Sequence, residues 1–228
     1  MRTTAFLAFL TVIAVVGAGA SLLFLGGMND EITTKVSVGS GLSCKIDGND
    51  VANGEEITIK EKSKLSVEVT AVADVQIQAA GSWKSDRNTI GKVFTTDSPV
   101  KEACFIFELN HGKFNGKLSI INMAENSGNI CPIHLKFTFD ESKVKVSSGG
   151  PEIANGDTFT FDHDGSVLVE SKIGKATLNY SGSWKNADGM SGGASGCNLG
   201  TSVSISIMNM MYFSDGYGDM KITVTGPK

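Results

Sequence analysis

The chain carries one short phrase twice, Gly81-Ser82-Trp83-Lys84 and Gly182-Ser183-Trp184-Lys185, and these two copies hold both of its tryptophans. A second pair lies upstream, where Val51-Ala52-Asn53-Gly54-Glu55 is echoed by Ile153-Ala154-Asn155-Gly156-Asp157 at an offset of 156 − 54 = 102 residues. Downstream, Gly116-Lys117-Leu118-Ser119-Ile120 meets Gly218-Asp219-Met220-Lys221-Ile222 at 218 − 116 = 102. A further match, Lys35-Val36-Ser37-Val38 against Lys143-Val144-Lys145-Val146, stands at 143 − 35 = 108, a drift that reads as insertion in a loop. A unit of roughly a hundred residues is too long for a solenoid repeat and has the size of a small independent domain. Duplication of a whole domain favours architecture or binding over a single catalytic centre.

Ahead of the repeats, Ala5 to Gly27 is an uncharged, mostly apolar run preceded only by Arg2. At about 1.5 Å rise per residue, a helix of this length crosses a hydrocarbon core of about 30 Å. Ala18-Gly19-Ala20 offers the small residues of a signal-peptide cleavage site, but the apolar run continues through Ser21-Leu22-Leu23-Phe24-Leu25. A retained single-pass anchor over residues 1–30 is therefore preferred, with a secreted product as the alternative. Arg2 precedes the run while Asp30 and Glu31 come after it, which places the body of the chain outside the membrane. The net charge of −4 leaves no basic field for nucleic acid.

Periodicity sets the fold class. Ile57-Thr58-Ile59, Leu65-Ser66-Val67-Glu68-Val69 and Leu118-Ser119-Ile120 alternate apolar with polar, as do Phe159-Thr160-Phe161, Val167-Leu168-Val169 and Ile222-Thr223-Val224 in the second copy. Asn53-Gly54, Asn155-Gly156, Asp164-Gly165 and Asp215-Gly216 supply the turns. With no helical periodicity after the first segment, each copy must pack sheet on sheet. The expectation is an all-β chain of two tandem immunoglobulin-like β-sandwich domains, 31–124 and 131–228, joined by a linker at 125–130. One strand, Ile133-His134-Leu135-Lys136-Phe137-Thr138-Phe139, has no counterpart at the 108 offset. It either belongs to the second domain or closes an edge of the first.

Candidate chemistry is sparse. Cys44, Cys104, Cys131 and Cys197 suggest two disulfides in an exported chain, and the pairing 44–104 with 131–197 keeps one bridge in each half. Gly189-Met190-Ser191-Gly192-Gly193 satisfies G-x-S-x-G, but a nucleophile elbow needs a helix after it, and this match lies in Gly/Ser-rich sequence. Cys131 and His134 are too few for zinc. Asp162-His163-Asp164-Gly165 resembles the start of a calcium loop, yet its twelfth position is Ile173, so only a weak non-EF site near Asp162, Asp164 and Asp215 is entertained against a plain hairpin turn. Met208-Asn209-Met210-Met211 reads as core filler. Asn179-Tyr180-Ser181 is a glycosylation sequon on a predicted strand, a poor acceptor position. No catalytic residue, metal or cofactor is assigned.

Trp83 and Trp184 are expected to be packing centres rather than sugar platforms, because both copies keep them. The segments C-terminal to the two tryptophans differ: Asp86, Arg87, Asn88 and Lys92 in the first copy, and a Gly/Ser loop with Asn186, Asp188 and Ser191 in the second. Divergent loops on a shared scaffold are the candidate contacts. A membrane segment leading into two copies that carry K-V-x-V-x-S-G, A-N-G and G-S-W-K resembles prokaryotic cell-surface proteins with tandem immunoglobulin-like domains. That resemblance is one of layout, and implies adhesion, envelope structure or a displayed binding face for a protein or glycan. Two rivals are a pilus-like filament subunit, self-associating through an open sheet edge, and a carbohydrate-binding accessory module.

Overall fold

The computed structural model describes residues 30–125 and 130–226. The anchor expected over 1–30 and most of the linker expected over 125–130 lie outside the described residues. The first half runs β1 (Glu31–Val38), β2 (Leu42–Ile46), β3 (Asn49–Val51), β4 (Glu56–Lys60), β5 (Lys64–Val75), β6 (Ile77–Lys84), β7 (Thr89–Thr95), β8 (Val100–Glu108) and β9 (Lys113–Asn122). The second runs β10 (Ile133–Thr138), β11 (Val144–Ser147), β12 (Glu152–Ile153), β13 (Thr158–Phe161), β14 (Gly165–Ser171), β15 (Ala176–Asn186), β16 (Ser191–Gly200), β17 (Ser202–Ile207) and β18 (Gly216–Thr225). Among the described residues no helix is long and apolar enough to cross a membrane.

The two halves are topological copies. Sheet orders β4-β1-β9-β6-β7 and β3-β2-β5-β8 return as β13-β10-β18-β15-β16 and β12-β11-β14-β17, with β1–β9 and β10–β18 pairing parallel. In each half a five-stranded and a four-stranded sheet contribute to one core. Ile32, Val36, Trp83, Leu118 and Ile120 join Ile46, Leu65, Val67 and Phe107 in the first; Leu135, Phe137, Leu178 and Ile222 join Val144, Val146, Val167 and Ile205 in the second. Alternation drives this, since every second side chain of a strand meets the opposite sheet.

The A-N-G phrase is a staple. Gly54 and Gly156 take the positive φ of 82° and 90° that the turn requires. Their N–H groups donate to the carbonyls of Val36 and Phe137. The side-chain oxygens of Asn53 and Asn155 accept from the N–H of Val38 at 3.0 Å and Phe139 at 2.9 Å. Glu55 and Asp157 return a carboxylate to the N–H of Ala52 and Ala154. These bonds equate Val36 with Phe137, an offset of 137 − 36 = 101, and so correct the match at 108. Lys143 to Val146 lies at β11, the counterpart of β2. Lys35-Val36-Ser37-Val38 corresponds to Lys136-Phe137-Thr138-Phe139, and the unplaced strand is β10, first strand of the second half. β10 and β11, both internal to their sheets, share the same apolar–polar alternation, so the phrase matched more than one strand.

The tryptophans occupy equivalent register positions, Trp83 opposite Gly116 and Trp184 opposite Gly218. Both are buried, which rules out a sugar platform. Their rings nevertheless lie differently. Trp83 covers Gly81 and Gly116, meets Phe107 edge-on at 4.8 Å, and donates its indole N–H to Thr34 Oγ1 at 2.8 Å. Trp184 lies over Gly192 of β16 instead, and its N–H has no partner. Leu135 stands where Thr34 stands in the first half, so the acceptor on that side is gone. The two indoles therefore share a strand position and a buried, packing role but not their immediate surroundings.

Candidate binding surfaces

The loops that differ between the copies meet different fates. In the second half the turn after β15 is organised by Asn186, which is buried. Its amide donates to the carbonyls of Tyr212 at 2.7 Å and Ser214 at 3.0 Å, and its oxygen accepts from the N–H of Asp188 and Met190, both at 2.9 Å. That turn packs on the outer face of the first half's five-stranded sheet. Gly91 leaves room for the backbone of Gly189, where any Cβ would collide. β6 is consequently buried on both faces from Ile77 to Trp83. Ala80 of β6 and Ile121 of the neighbouring β9, on the outer side of that sheet, belong to the second half's core.

Asp188 is the electrostatic centre of this joint. Its side chain is 5% exposed and faces Lys84 at 3.2 Å and Lys117 at 3.8 Å. It accepts from the hydroxyls of Ser214 at 2.5 Å and Ser82 at 3.5 Å. Burial pushes the carboxyl upward, but the Ser214 and Lys84 hydrogen bonds and the two ammonium charges outweigh it and hold the group below the ordinary range. Beside it Lys117 lies over the Phe213 ring at 5.6 Å. The Tyr212 hydroxyl donates to Gln78, and burial raises that phenol to about 12. Asn186 and Asp188 therefore serve the contact between the halves and are not open to an external partner.

Among the described residues, the equivalent turn of the first half makes no hydrogen bond or ion pair with the second half. Ser85 accepts from the N–H of Arg87 at 3.3 Å and of Asn88 at 3.2 Å, and its own N–H closes the turn onto the Asn88 carbonyl. Across from it the Asn110–Gly112 turn is held by Asp30, whose carboxylate accepts from the N–H of Gly112 at 2.5 Å and contacts His111 Nδ1 at 2.7 Å. Between them opens a cleft of about 450 Å³ lined by Asp86, Arg87, Asn88, His111 and Lys113 over Phe114. Three of the four expected contact residues meet here; Lys92 lies on β7 instead. His111 and Lys113 carried no sequence signal, because they come from a turn distant in the chain.

The Gly/Ser segment after Trp184 is a strand and not a loop. β16 pairs with β15 over all ten of its residues, and Ser191 begins it, exposed and with no helix after it. The glycines make the strand possible. A Cβ at Gly192 would strike the Trp184 indole, and one at Gly196 the Tyr180 ring, so aromatic rings from β15 cover what would be bare backbone.

The expected disulfides are not formed. Cys44 points into the core and Cys104 to the outer face of the same sheet, since Cys44 aligns through Val69 with Ala103. Burial raises the Cys44 thiol to about 11. Cys197 pairs with Asn179, while Cys131 precedes Ile133, which reaches Asn186 through Gly216. The separation of 186 − 179 = 7 residues is roughly 23 Å along the sheet, beyond any disulfide. The calcium candidates are not assembled either. Asp164 accepts from the N–H of Asn209 at 2.6 Å, Asp215 lies 3.3 Å from His134 Nε2, and Asp162 is exposed, with no cluster of three possible metal ligands among the described residues. Of the methionine run only Met211 fills core; Met208 and Met210 are exposed.

No family model matches the chain, and no characterised protein matches it in sequence. Among solved structures it is similar to a bacterial adhesin from Mobiluncus mulieris containing intramolecular disulfide, isopeptide and ester bond cross-links, seen in two crystal forms. Identity is 10% over 86% of this chain and 99% of that one, with TM-scores of 0.24 and 0.25.

Proposed function

We propose that this chain is a non-catalytic, membrane-anchored binding protein that displays two fused immunoglobulin-like sandwiches outside the cell membrane in an adhesive or envelope-structural role. One observation carries the reading: of two equivalent turns, one is locked into the contact between the halves and the other is left open as the Asp86–Asn88 and His111 cleft. Duplicated scaffolds with one free loop end are suited to presenting that end to a partner. The cleft brings Arg87 and Asp86 together with His111 and Lys113, whose own carboxylate partners are Asp30 at 2.7 Å and Glu31 at 3.5 Å. Arg87, which makes no ion pair among the described residues, is the group suited to a negatively charged group on a protein or an acidic glycan. The apolar run Ala5–Gly27 is the anchor that orients the body outward.

The test joins display and binding. Protease added to intact cells should digest the body of the chain, and purified protein should bind an acidic glycan or a surface protein in a manner weakened at least tenfold by Arg87→Ala with Lys113→Ala. Protection from external protease would sink the placement, and unchanged binding in the double variant would sink the cleft.

A further inference from the structure

Among the described residues, the second sandwich leaves unpaired and uncharged a strand edge whose counterpart the first sandwich guards with charge. β7 carries Lys92 and β8 carries Lys101, Glu102 and Glu108, charges of the kind that keep edge strands from pairing with a neighbour. The equivalent strands β16 and β17 carry none. From Gly189 to Ser214 the chain has no charged residue at all. β16 is ten residues long, contains no proline, and forms the margin of its sheet. Its outward side chains are small apart from Leu199, which is 63% exposed. Trp184 and Tyr180 hold the strand from beneath at Gly192 and Gly196, so the edge is supported rather than frayed.

We infer that β16 is a docking strand for a second copy of this chain, pairing antiparallel with its own counterpart about a two-fold axis. Charge decides the occupant. A two-fold axis sets the strand against itself, so any charge near the strand centre would face its own image, and this strand bears none. A backbone ladder centred on Ser195, over 191–199 of each partner, gives a continuous ten-stranded sheet across the two second halves. Hydrogen bonds of the main chain supply the affinity, and the small outer side chains permit the approach. This names a partner for the binding role proposed above, and it rests on that reading only for its setting. Association is measured on purified protein, so failure here is separate from failure of surface display.

The experiment is sedimentation of the full chain in detergent micelles, with near-ultraviolet circular dichroism to verify packing. The wild type should be dimeric. Ser195→Lys, at the strand centre and exposed, should weaken dimerisation at least tenfold. Ser183→Lys, also at an exposed position but one strand inward on β15, should leave it unchanged. Mixing Ser195→Lys with Ser195→Glu should restore a heterodimer, because opposite charges then meet across the axis. A monomeric wild type, as expected if the edge takes a strand from another protein, overturns the inference. So does a Ser195→Lys dimer as tight as wild type, which assigns the contact to another segment, or a folded Lys/Glu mixture that stays monomeric.

Discussion

Replacing Asp188 by Asn removes the charge at the joint between the halves while keeping the side chain's shape. The carboxylate takes the Ser214 hydroxyl at 2.5 Å, and a hydrogen bond to a charged group contributes about 1.5–3 kcal/mol against about 1 for its neutral equivalent. Lys84 and Lys117 are 48% and 55% exposed at the side chain, so each ion pair is screened and adds about 0–1 kcal/mol. A fully buried pair would lose about 3–5 kcal/mol on losing one partner, but here the lysines rehydrate. The expected loss is about 2 kcal/mol, read from urea unfolding of purified protein. A double-mutant cycle with Lys84→Met isolates the pair. The depressed carboxyl sets the pH dependence: its stabilisation is complete above the unfolded value of about 3.9 and is lost as pH falls through the lower folded value. Wild type should exceed Asp188→Asn by a constant margin from about pH 5 to 8, and the two should converge below about pH 4. Equal stability of the two proteins at neutral pH would refute an electrostatic joint, and the size of the Lys84 coupling apportions it between the ion pair and the Ser214 hydrogen bond.

Thr34→Val strips the acceptor from the Trp83 indole and leaves a buried N–H unpaired, so thermal unfolding should show a loss of about 1–3 kcal/mol, while Leu135→Val at the equivalent site breaks no hydrogen bond and should cost only the about 1 kcal/mol of a removed methylene. Gly192→Ala places a methyl in the Trp184 indole and should destabilise by about 1–3 kcal/mol with a shift in tryptophan emission; Gly48→Ala, at a turn with open space and φ of 81°, should leave emission unchanged. A thiol reagent at neutral pH should label Cys104 and Cys197 rapidly and Cys44 only on unfolding, as the first two are exposed and the third is buried with its thiol raised to about 11. Mass spectrometry of labelled peptides reads the order.

The repeat, the all-β class and the A-N-G staples were legible in the order of residues because each rests on neighbours within a few positions. Alternation makes a strand, and Asn-Gly makes a turn wherever the pair occurs. Strand identity was less so: the strand of Lys35 to Val38 resembles β11 as well as β10, and only pairing in the folded sheet separates the two. The Gly/Ser run looked like a loop because the rings that make it a strand, Trp184 and Tyr180, come from the strand beside it. Nothing local told apart the two divergent turns either. Asp188 became part of a joint through contacts with residues about a hundred positions away, Ser82 and Lys84, while Asp86 to Asn88 met His111 and Lys113 from a later turn of the same half. Cys44 and Cys104 were a plausible pair until strand register turned one inward and the other out. Short-range patterns choose the elements; burial, which sums over the whole chain, chooses which of their faces remain open.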